Sequence, residues 1–292
     1  MLKHPNYFTF NPESLFTHFN NYTMRIVTVS AFFLLLFMLN PSISFSAPSA
    51  SAYTAPKQEF YSIRVYHLKT KEQEEKVDKY LQAALLPALH RMGIPKVGVF
   101  HPIGNDTAVL RLIYVLIPFH SLDQFAGFPA SLLKDTAYLS NGKDYLDAAY
   151  TEPPYARFES ILLQAFPDMP RLEAPSTLTS PAPERIYELR SYEGPTEKYF
   201  VNKVQMFNQG GEIPLFKRLG FNAIFYGSVL SGAHMPNLMY MTSFDNMAAR
   251  DSHWKAFGED AFWKQLVAAP EYQHNVSHVD IVFLHPTAYS DL

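Results

Sequence analysis

The spacing of apolar and polar positions predicts the same series of elements twice along the chain. Tyr61, Ile63 and Val65 alternate with other residues, as expected for a strand. The elements predicted for the first half are strand 60–68, helix 71–92, strands 96–101 and 108–119, a helical region 121–149 and strand 155–166. Those predicted for the second half are strand 185–192, helix 195–219, strands 222–230 and 237–244, a helical region 245–269 and strand 277–285. Both series have the β-α-β-β-α-β order of a ferredoxin-like domain.

Recurring residues indicate that the two series derive from one duplicated domain. A Tyr-x-x-Arg-x-Tyr pattern occurs twice, 126 positions apart, at Tyr61, Arg64 and Tyr66 and again at Tyr187, Arg190 and Tyr192. A segment with five prolines, 167–183, separates the two series and is typical of a linker. We therefore predict two α+β domains, at 57–166 and 184–292.

Residues 1–52 have the pattern of a secretory signal peptide with an upstream extension. Met24 and Arg25 precede a short apolar run, 26–39, and small residues follow the run. The run is shorter than the roughly 20 apolar residues of a membrane span. We expect cleavage before about Tyr53, export to the periplasm or the extracellular space, and no membrane association afterwards. The alternative is an uncleaved N-terminal anchor.

Composition narrows the classes of function. The 292 residues carry a formal net charge of −3, which provides no electrostatic footprint for nucleic acid. The chain has no cysteine, which excludes disulfides, thiolate metal sites and a cysteine nucleophile. His274 and His278 are four positions apart, but Pro270 and the strand that follows disfavour the helix such a metal pair would need. With no phosphate loop or serine nucleophile motif either, we expect neither cofactor nor metal.

Three stretches of the second half resemble the NIPSNAP family: the strand 187–192, the helix end 214–220 and the aromatic stretch 254–263. The resemblance implies the dimeric α/β-barrel superfamily, in which two ferredoxin-like domains pair their sheets into a barrel with helices outside. Here the two halves would pair within one chain, and a homo-oligomer remains open. The superfamily includes cofactor-free oxygenases, haem-degrading enzymes and small-molecule binders, so the resemblance leaves the reaction open.

The two repeated arginines are the first candidates for ligand binding. Arg64 shares a strand face with Tyr66, and Arg190 shares one with Tyr192. If that face points into the barrel, each guanidinium could hold a carboxylate or an enolate through two hydrogen bonds. The alternative is a structural ion pair, for example between Arg190 and an acid of the other half.

Three aromatic residues complete the candidate site. Tyr114 and Tyr240 stand 126 positions apart in the third strands of the two halves, where a phenol could bind a ligand oxygen or pack in the core. Trp254 could form the wall of a pocket or face the core. His67 and His101, at strand ends, are candidate acid–base groups.

Two functions of different classes follow from these patterns. The first is an exported protein that binds a small organic ligand, with catalysis left open. The second is a non-catalytic module for protein interaction or assembly. A pocket of several hundred cubic ångströms with convergent polar groups would favour the first. A barrel filled by side chains would favour the second.

Overall fold

Each half of the chain folds into four antiparallel strands with helices on one face, as the alternating pattern predicts. The structure is a computed structural model that describes residues 57–292, so the predicted signal segment 1–52 lies outside the described residues. The strands are β1 (Phe60–Leu68), β2 (Gly98–Pro102), β3 (Arg111–Phe119), β4 (Arg157–Ala165), β5 (Ile186–Glu193), β6 (Asn222–Ser231), β7 (Asn237–Phe244) and β8 (His278–Pro286).

Nine α-helices are present in the described part of the chain, and none of the described helices is long and apolar enough to cross a membrane. They are α1 (Lys71–Tyr80), α2 (Leu86–Arg91), α3 (Leu122–Leu132), α4 (Thr136–Asn141), α5 (Lys143–Leu146), α6 (Glu197–Phe207), α7 (Glu212–Arg218), α8 (Met247–Glu259) and α9 (Ala261–Ala268).

The eight strands close into one barrel in the order β1-β3-β2-β8-β5-β7-β6-β4. Two seams join the halves, since β2 pairs with β8 and β4 pairs with β6. The prediction of two ferredoxin-like units pairing as an α/β barrel is therefore confirmed. The C-terminal parts of β1 and β5 lie at the same end of the barrel, so the pseudo-two-fold axis that relates the halves runs along the barrel axis.

Apolar side chains form three cores: one inside the barrel and one between each half-sheet and its helices. Tyr61, Ile63 and Val65 of β1 point into the barrel, together with Tyr187 and Leu189 of β5. Burying one large apolar side chain contributes about 1.5–3 kcal/mol. Because successive strand residues alternate in direction, the residues between these five face the helices.

Both predicted long helices are interrupted for local reasons. Pro87 cannot donate a backbone hydrogen bond, and a π-helical segment (Leu81–Leu85) lies between α1 and α2 just before it. The predicted helix 195–219 is divided into α6 and α7, because Gly211 adopts a left-handed φ of 84°. Gly93 and Gly220 end α2 and α7 with φ of 77°, the cap conformation that glycine favours.

The proline-rich segment 167–183 lies against both halves. Leu172 is buried in the barrel core, and its backbone N–H donates to the Glu59 carboxylate at 2.9 Å. Further along, the Asp245 carboxylate accepts hydrogen bonds from the backbone N–H groups of Thr179 and Ser180, both at 2.7 Å. These bonds fix the segment against β1 at one end and the end of β7 at the other.

Candidate functional site

One end of the barrel opens into a cavity of about 300 Å³, which we call the mouth pocket. Its floor consists of inward-facing apolar side chains, namely Val65, Leu112, Ile161, Leu189, Met239 and Val282. Its rim is polar and consists of His67, Tyr114, Glu159, Ser191, His234, Asn237 and Asp280. An apolar floor with a few convergent polar groups is the usual constitution of a small-molecule site.

The rim polar groups are arranged in pairs. The His67 imidazole lies 2.7 Å from the Glu159 carboxylate, and the Asn237 side-chain amide donates to the Ser191 hydroxyl at 2.9 Å. His278, at the edge of the mouth, lies 3.0 Å from the Asp280 carboxylate. The carboxylate oxygens of Glu159 and Asp280 accept hydrogen bonds, which favours a ligand with a cationic or hydrogen-bond-donating end.

Tyr114 presents the one phenol of the mouth pocket. Burial, together with the smaller effect of the nearby carboxylates of Glu159 and Asp280, raises its pKa to about 12. The phenol therefore stays protonated at neutral pH. Its hydroxyl makes no hydrogen bond to any of residues 57–292, so the group is free to bind a ligand atom.

The pseudo-symmetry of the barrel is broken at the rim. Val65 lies opposite Glu159 in the ladder, and its counterpart Ser191 lies opposite Asp280, so the two carboxylates are equivalent. The counterpart of His67, 126 positions on, is Glu193. One half therefore contributes a histidine where the other contributes an acid.

Three of the described groups at the mouth are spaced as metal ligands would be. The ligand atoms of Glu193, His278 and Asp280 all lie within 4.8 Å of one another. A mixed set of carboxylates and imidazole suits several divalent ions. His278 and Asp280 are exposed, so solvent also reaches these ligand atoms.

Arg190 does not point into the barrel, so the condition on which an inward-facing ligand site depended is not met. Tyr187 and Leu189 fill the barrel interior, which directs Arg190 and Tyr192 outward toward the helices. Trp254 of α8 covers the guanidinium, with 3.8 Å from the Arg190 Cζ atom to the ring centroid. The three residues do come together, but on the outer face of the sheet.

Glu188 lies at the centre of this cluster, which we call the Glu188 network. Its carboxylate is fully buried and accepts hydrogen bonds from Arg190 at 2.6 Å, Arg250 at 2.8 Å and the Trp254 indole at 2.8 Å. Burial opposes ionisation, but the hydrogen bond from Arg250 and the charge of Arg190 outweigh it and keep the pKa of Glu188 below its ordinary value. The acid that pairs with Arg190 therefore comes from the same strand and not from the other half.

Arg190 also engages both predicted tyrosines of its half. Its guanidinium donates to the Tyr192 hydroxyl at 3.0 Å, and Tyr192 is hydrogen-bonded to Tyr240 at 2.8 Å. Every one of these polar groups therefore has a protein partner. The arrangement has the properties of a structural network, and the predicted ligand-binding roles of Arg190, Tyr192, Tyr240 and Trp254 stay predictions.

Arg64 also faces the helices, but it has no such partners. Its guanidinium lies 4.9 Å from the ring centroid of Phe128 and 5.5 Å from that of Phe158. It forms no ion pair or hydrogen bond with any of residues 57–292, and its Nε atom is buried. Tyr66 packs beside it, against Phe158 and Tyr155.

Tyr114 and Tyr240 are not structural counterparts, although the sequence places them at matching positions. Tyr240 lies opposite Arg190 in the ladder, whereas Val115 lies opposite Arg64. The true offset of these strands is thus one residue shorter, and a shift of one residue moves a side chain to the other face. Tyr114 consequently faces the mouth pocket, while Tyr240 faces the helices.

Sequence reasoning missed most of the rim. Glu159, Ser191, Asn237 and Asp280 line the mouth pocket and were not among the predicted site residues. A usable signal exists in the inward-facing rows, which change from apolar to polar toward the mouth end of the barrel. In β4 and β8 that end is the start of the strand. The row Ile161 to Glu159 and the row Val282 to Asp280 both show this change.

Taken together, the closed barrel and its outer helices define an intramolecular version of the dimeric α/β-barrel fold. Residues 187–291 match the family model described as NIPSNAP, the family that three stretches of the second half resemble in sequence. No curated protein matches the chain in sequence.

Several solved structures resemble the chain at low sequence identity. A candidate monooxygenase from Lactobacillus acidophilus NCFM is 11% identical with a TM-score of 0.51, over 78% of this chain and 94% of that chain. An anthrone oxidase-like protein is 10% identical with a TM-score of 0.47, over 80% of this chain and 93% of that chain. A NIPSNAP family protein from Agrobacterium tumefaciens is 20% identical with a TM-score of 0.33, over 39% of this chain and 96% of that chain. At 11% identity the first likeness establishes the fold alone.

Proposed function

We propose that the protein binds a small organic ligand in the mouth pocket. The observation that supports this most directly is the cavity of about 300 Å³ with an apolar floor and the unpartnered hydroxyl of Tyr114 above it. The opposite end of the barrel is filled, since Tyr61 packs on Phe225 and Phe100 packs on Tyr187. A module that served assembly alone would need no such opening at the other end.

The charges of the rim favour one class of ligand. Glu159 and Asp280 lie on the rim, and Glu193 lies beside them, so a carboxylate ligand would be repelled. An ammonium group would instead be attracted to these carboxylates, and its apolar body would cover the floor formed by residues such as Val65 and Met239. The proposed ligand is therefore an amine with a compact apolar or aromatic body.

Thermal melts and isothermal titration calorimetry of the purified protein test this proposal with two matched probes. We expect 2-phenylethylamine to raise the melting temperature saturably and 3-phenylpropionate not to bind in the mouth pocket. The Glu159→Gln variant should weaken amine binding about tenfold, since a hydrogen bond to a charged group contributes about 1.5–3 kcal/mol. Glu259→Gln, an exposed position at the end of α8, is the matched control.

A second variant blocks the mouth pocket sterically. Ala233 lines the pocket from an exposed position, so Ala233→Trp should fill the opening without disturbing the core. We expect this variant to fold normally and to lose amine binding. Undiminished amine binding in a folded Ala233→Trp protein would refute the proposed pocket.

We also propose export, on the pattern of residues 24–52 in the sequence. Intact-mass measurement of the protein purified from its source gives a direct test. A mass lacking the apolar run 26–39 is expected, and a mass that retains it would refute cleavage.

A further inference from the structure

We infer that the first half holds a second binding site, for an organic carboxylate, centred on Arg64 between β1 and α3. This site lies on the outer face of the barrel wall and is separate from the mouth pocket, so it goes beyond the proposed function. The inference comes from comparing the surroundings of Arg64 in the first half with the Glu188 network of the second half.

The first half lacks the groups that neutralise Arg190 in the second half. Two counterparts differ: Ser62 stands 126 positions before Glu188 on the strand, and Phe125 stands 125 positions before Arg250 on the helix, the offset that the N-caps Ser121 and Asn246 also show. The arginine itself is kept, as is the aromatic ring that covers it. The buried acceptor has thus been removed while the donor remains in place.

None of the groups around Arg64 takes the place of that acceptor. Its ladder neighbours are Val115 and Ser160, and the Ser160 hydroxyl already lies 3.3 Å from that of Ser62. The nearby phenols of Tyr80 and Tyr138 are hydrogen-bonded to each other at 2.9 Å.

Those two phenols do not supply a negative charge either. Burial raises the pKa of Tyr80 and of Tyr138, and the positive charge of Arg64 offsets only part of that rise. Both groups therefore stay neutral, and Arg64 keeps an uncompensated positive charge in an aromatic surrounding.

The geometry around Arg64 matches a carboxylate attached to an apolar group. A guanidinium presents a planar fork of N–H donors that pairs with the two oxygens of a carboxylate. Phe128 lies on one side of the fork, and Phe158, which is 41% exposed, lies near it on the surface side. The exposed ring gives a ligand access and a face on which its apolar part can pack.

The test uses the purified full-length protein and 3-phenylpropionate, with 3-phenylpropionamide as the neutral control. Calorimetry or ligand-observed NMR should show saturable binding of the acid and at least tenfold weaker binding of the amide. Arg64→Met should reduce acid binding at least tenfold. Arg171→Met, an exposed arginine in the linker, should leave acid binding unchanged.

A second variant restores the acceptor that the first half lacks. Ser62→Glu places a carboxylate at the position equivalent to Glu188, where it should pair with Arg64 and abolish binding of the acid. If this variant fails to fold, Arg64→Lys still tests the site, because an ammonium lacks the bidentate fork and should bind the acid more weakly.

Two results would overturn the inference. One is the absence of saturable 3-phenylpropionate binding to the wild-type protein. The other is acid binding that persists in folded Arg64→Met, or that disappears in Ala233→Trp, since the latter would place the acid in the mouth pocket. Loss of amine binding in Ala233→Trp concerns the mouth pocket alone, so the two proposals fail separately.

Discussion

Arg190 and Arg64 occupy equivalent places on the outer faces of β5 and β1, and an aromatic ring covers each of them. In the second half a fully buried carboxylate, Glu188, binds the arginine together with Arg250 and Trp254. In the first half the corresponding residue is Ser62, and no acid among residues 57–292 pairs with Arg64. The comparison teaches that the repeated Tyr-x-x-Arg-x-Tyr pattern specifies the position of the arginine. The first variable residue of the pattern, Glu188 or Ser62, decides whether the protein supplies a buried counter-charge.

Removing the carboxylate should have the largest effect on this comparison. Glu188→Gln leaves Arg190 buried without its counter-charge, and breaking a buried ion pair costs about 3–5 kcal/mol. Urea unfolding should show a loss of that size, whereas Ser62→Ala should change the free energy of unfolding by less than about 1 kcal/mol. A loss below about 1 kcal/mol in Glu188→Gln would mean that the network does not stabilise the second half.

Removing each arginine in turn should separate the two halves. Arg190→Met takes one donor from Glu188 but leaves Arg250 and Trp254 in place, so we expect a loss of about 2 kcal/mol. Arg64→Met removes a charge that has no protein partner, so it should be neutral within about 0.5 kcal/mol or slightly stabilising. Equal losses in the two variants, measured by urea unfolding, would show that Arg64 has a structural partner after all.

Acid titration should reveal the same network through its pH dependence. Because the pKa of Glu188 is held below its ordinary value of 4.5, its stabilising contribution is complete above that pH. It is lost as pH falls through the lower pKa of the folded state, at no more than about 1.4 kcal/mol per pH unit. The stability difference between wild type and Glu188→Gln should therefore shrink below pH 4.5. A stability difference that stays constant down to roughly pH 3 would contradict this expectation.

Replacing His101 of β2 should have the smallest effect on stability, and its pH dependence should run in the opposite direction to that of Glu188. Burial lowers its pKa, but the Asp78 hydrogen bond at 3.1 Å and the charges of Asp78 and Glu74 outweigh burial and raise it above 6.5. Its contribution is therefore present below pH 6.5 and is lost as pH rises through the higher pKa of the folded state. The difference in free energy of unfolding between wild type and His101→Asn should shrink toward alkaline pH, by less than about 1 kcal/mol. A difference that rises with pH would reverse the assignment.

The architecture could be predicted from the sequence because the repeat and the alternation are local features. Tyr61, Ile63 and Val65 share a face in any strand, so the order of elements follows from spacing alone. Which face lines the barrel depends on tertiary packing, because both faces of β1 and β5 are covered by other parts of the protein. The pattern therefore places Arg190 and Tyr192 on one strand face but does not decide whether that face points into the barrel.

The candidate site was harder to predict for a related reason. Glu159 and Asp280 become neighbours of Tyr114 only when β4, β8 and β3 reach the same end of a closed barrel. Their separation along the chain gives no hint of that meeting. Tyr114 was identified through a match with Tyr240 that the ladder does not support, and its ligand-binding role stays a prediction although its side chain lines the mouth pocket.

The axis of pseudo-symmetry passes through the mouth pocket, and this has a stereochemical consequence. In a true homodimer, a ligand on such an axis would meet identical walls and could bind in two orientations of equal energy. Here His67 lines the mouth pocket in one half, whereas its counterpart in the other half is Glu193, so the two orientations of a ligand bound there would differ in energy. The difference between the two halves thus allows a single pocket on the axis to hold an unsymmetrical molecule in one preferred orientation.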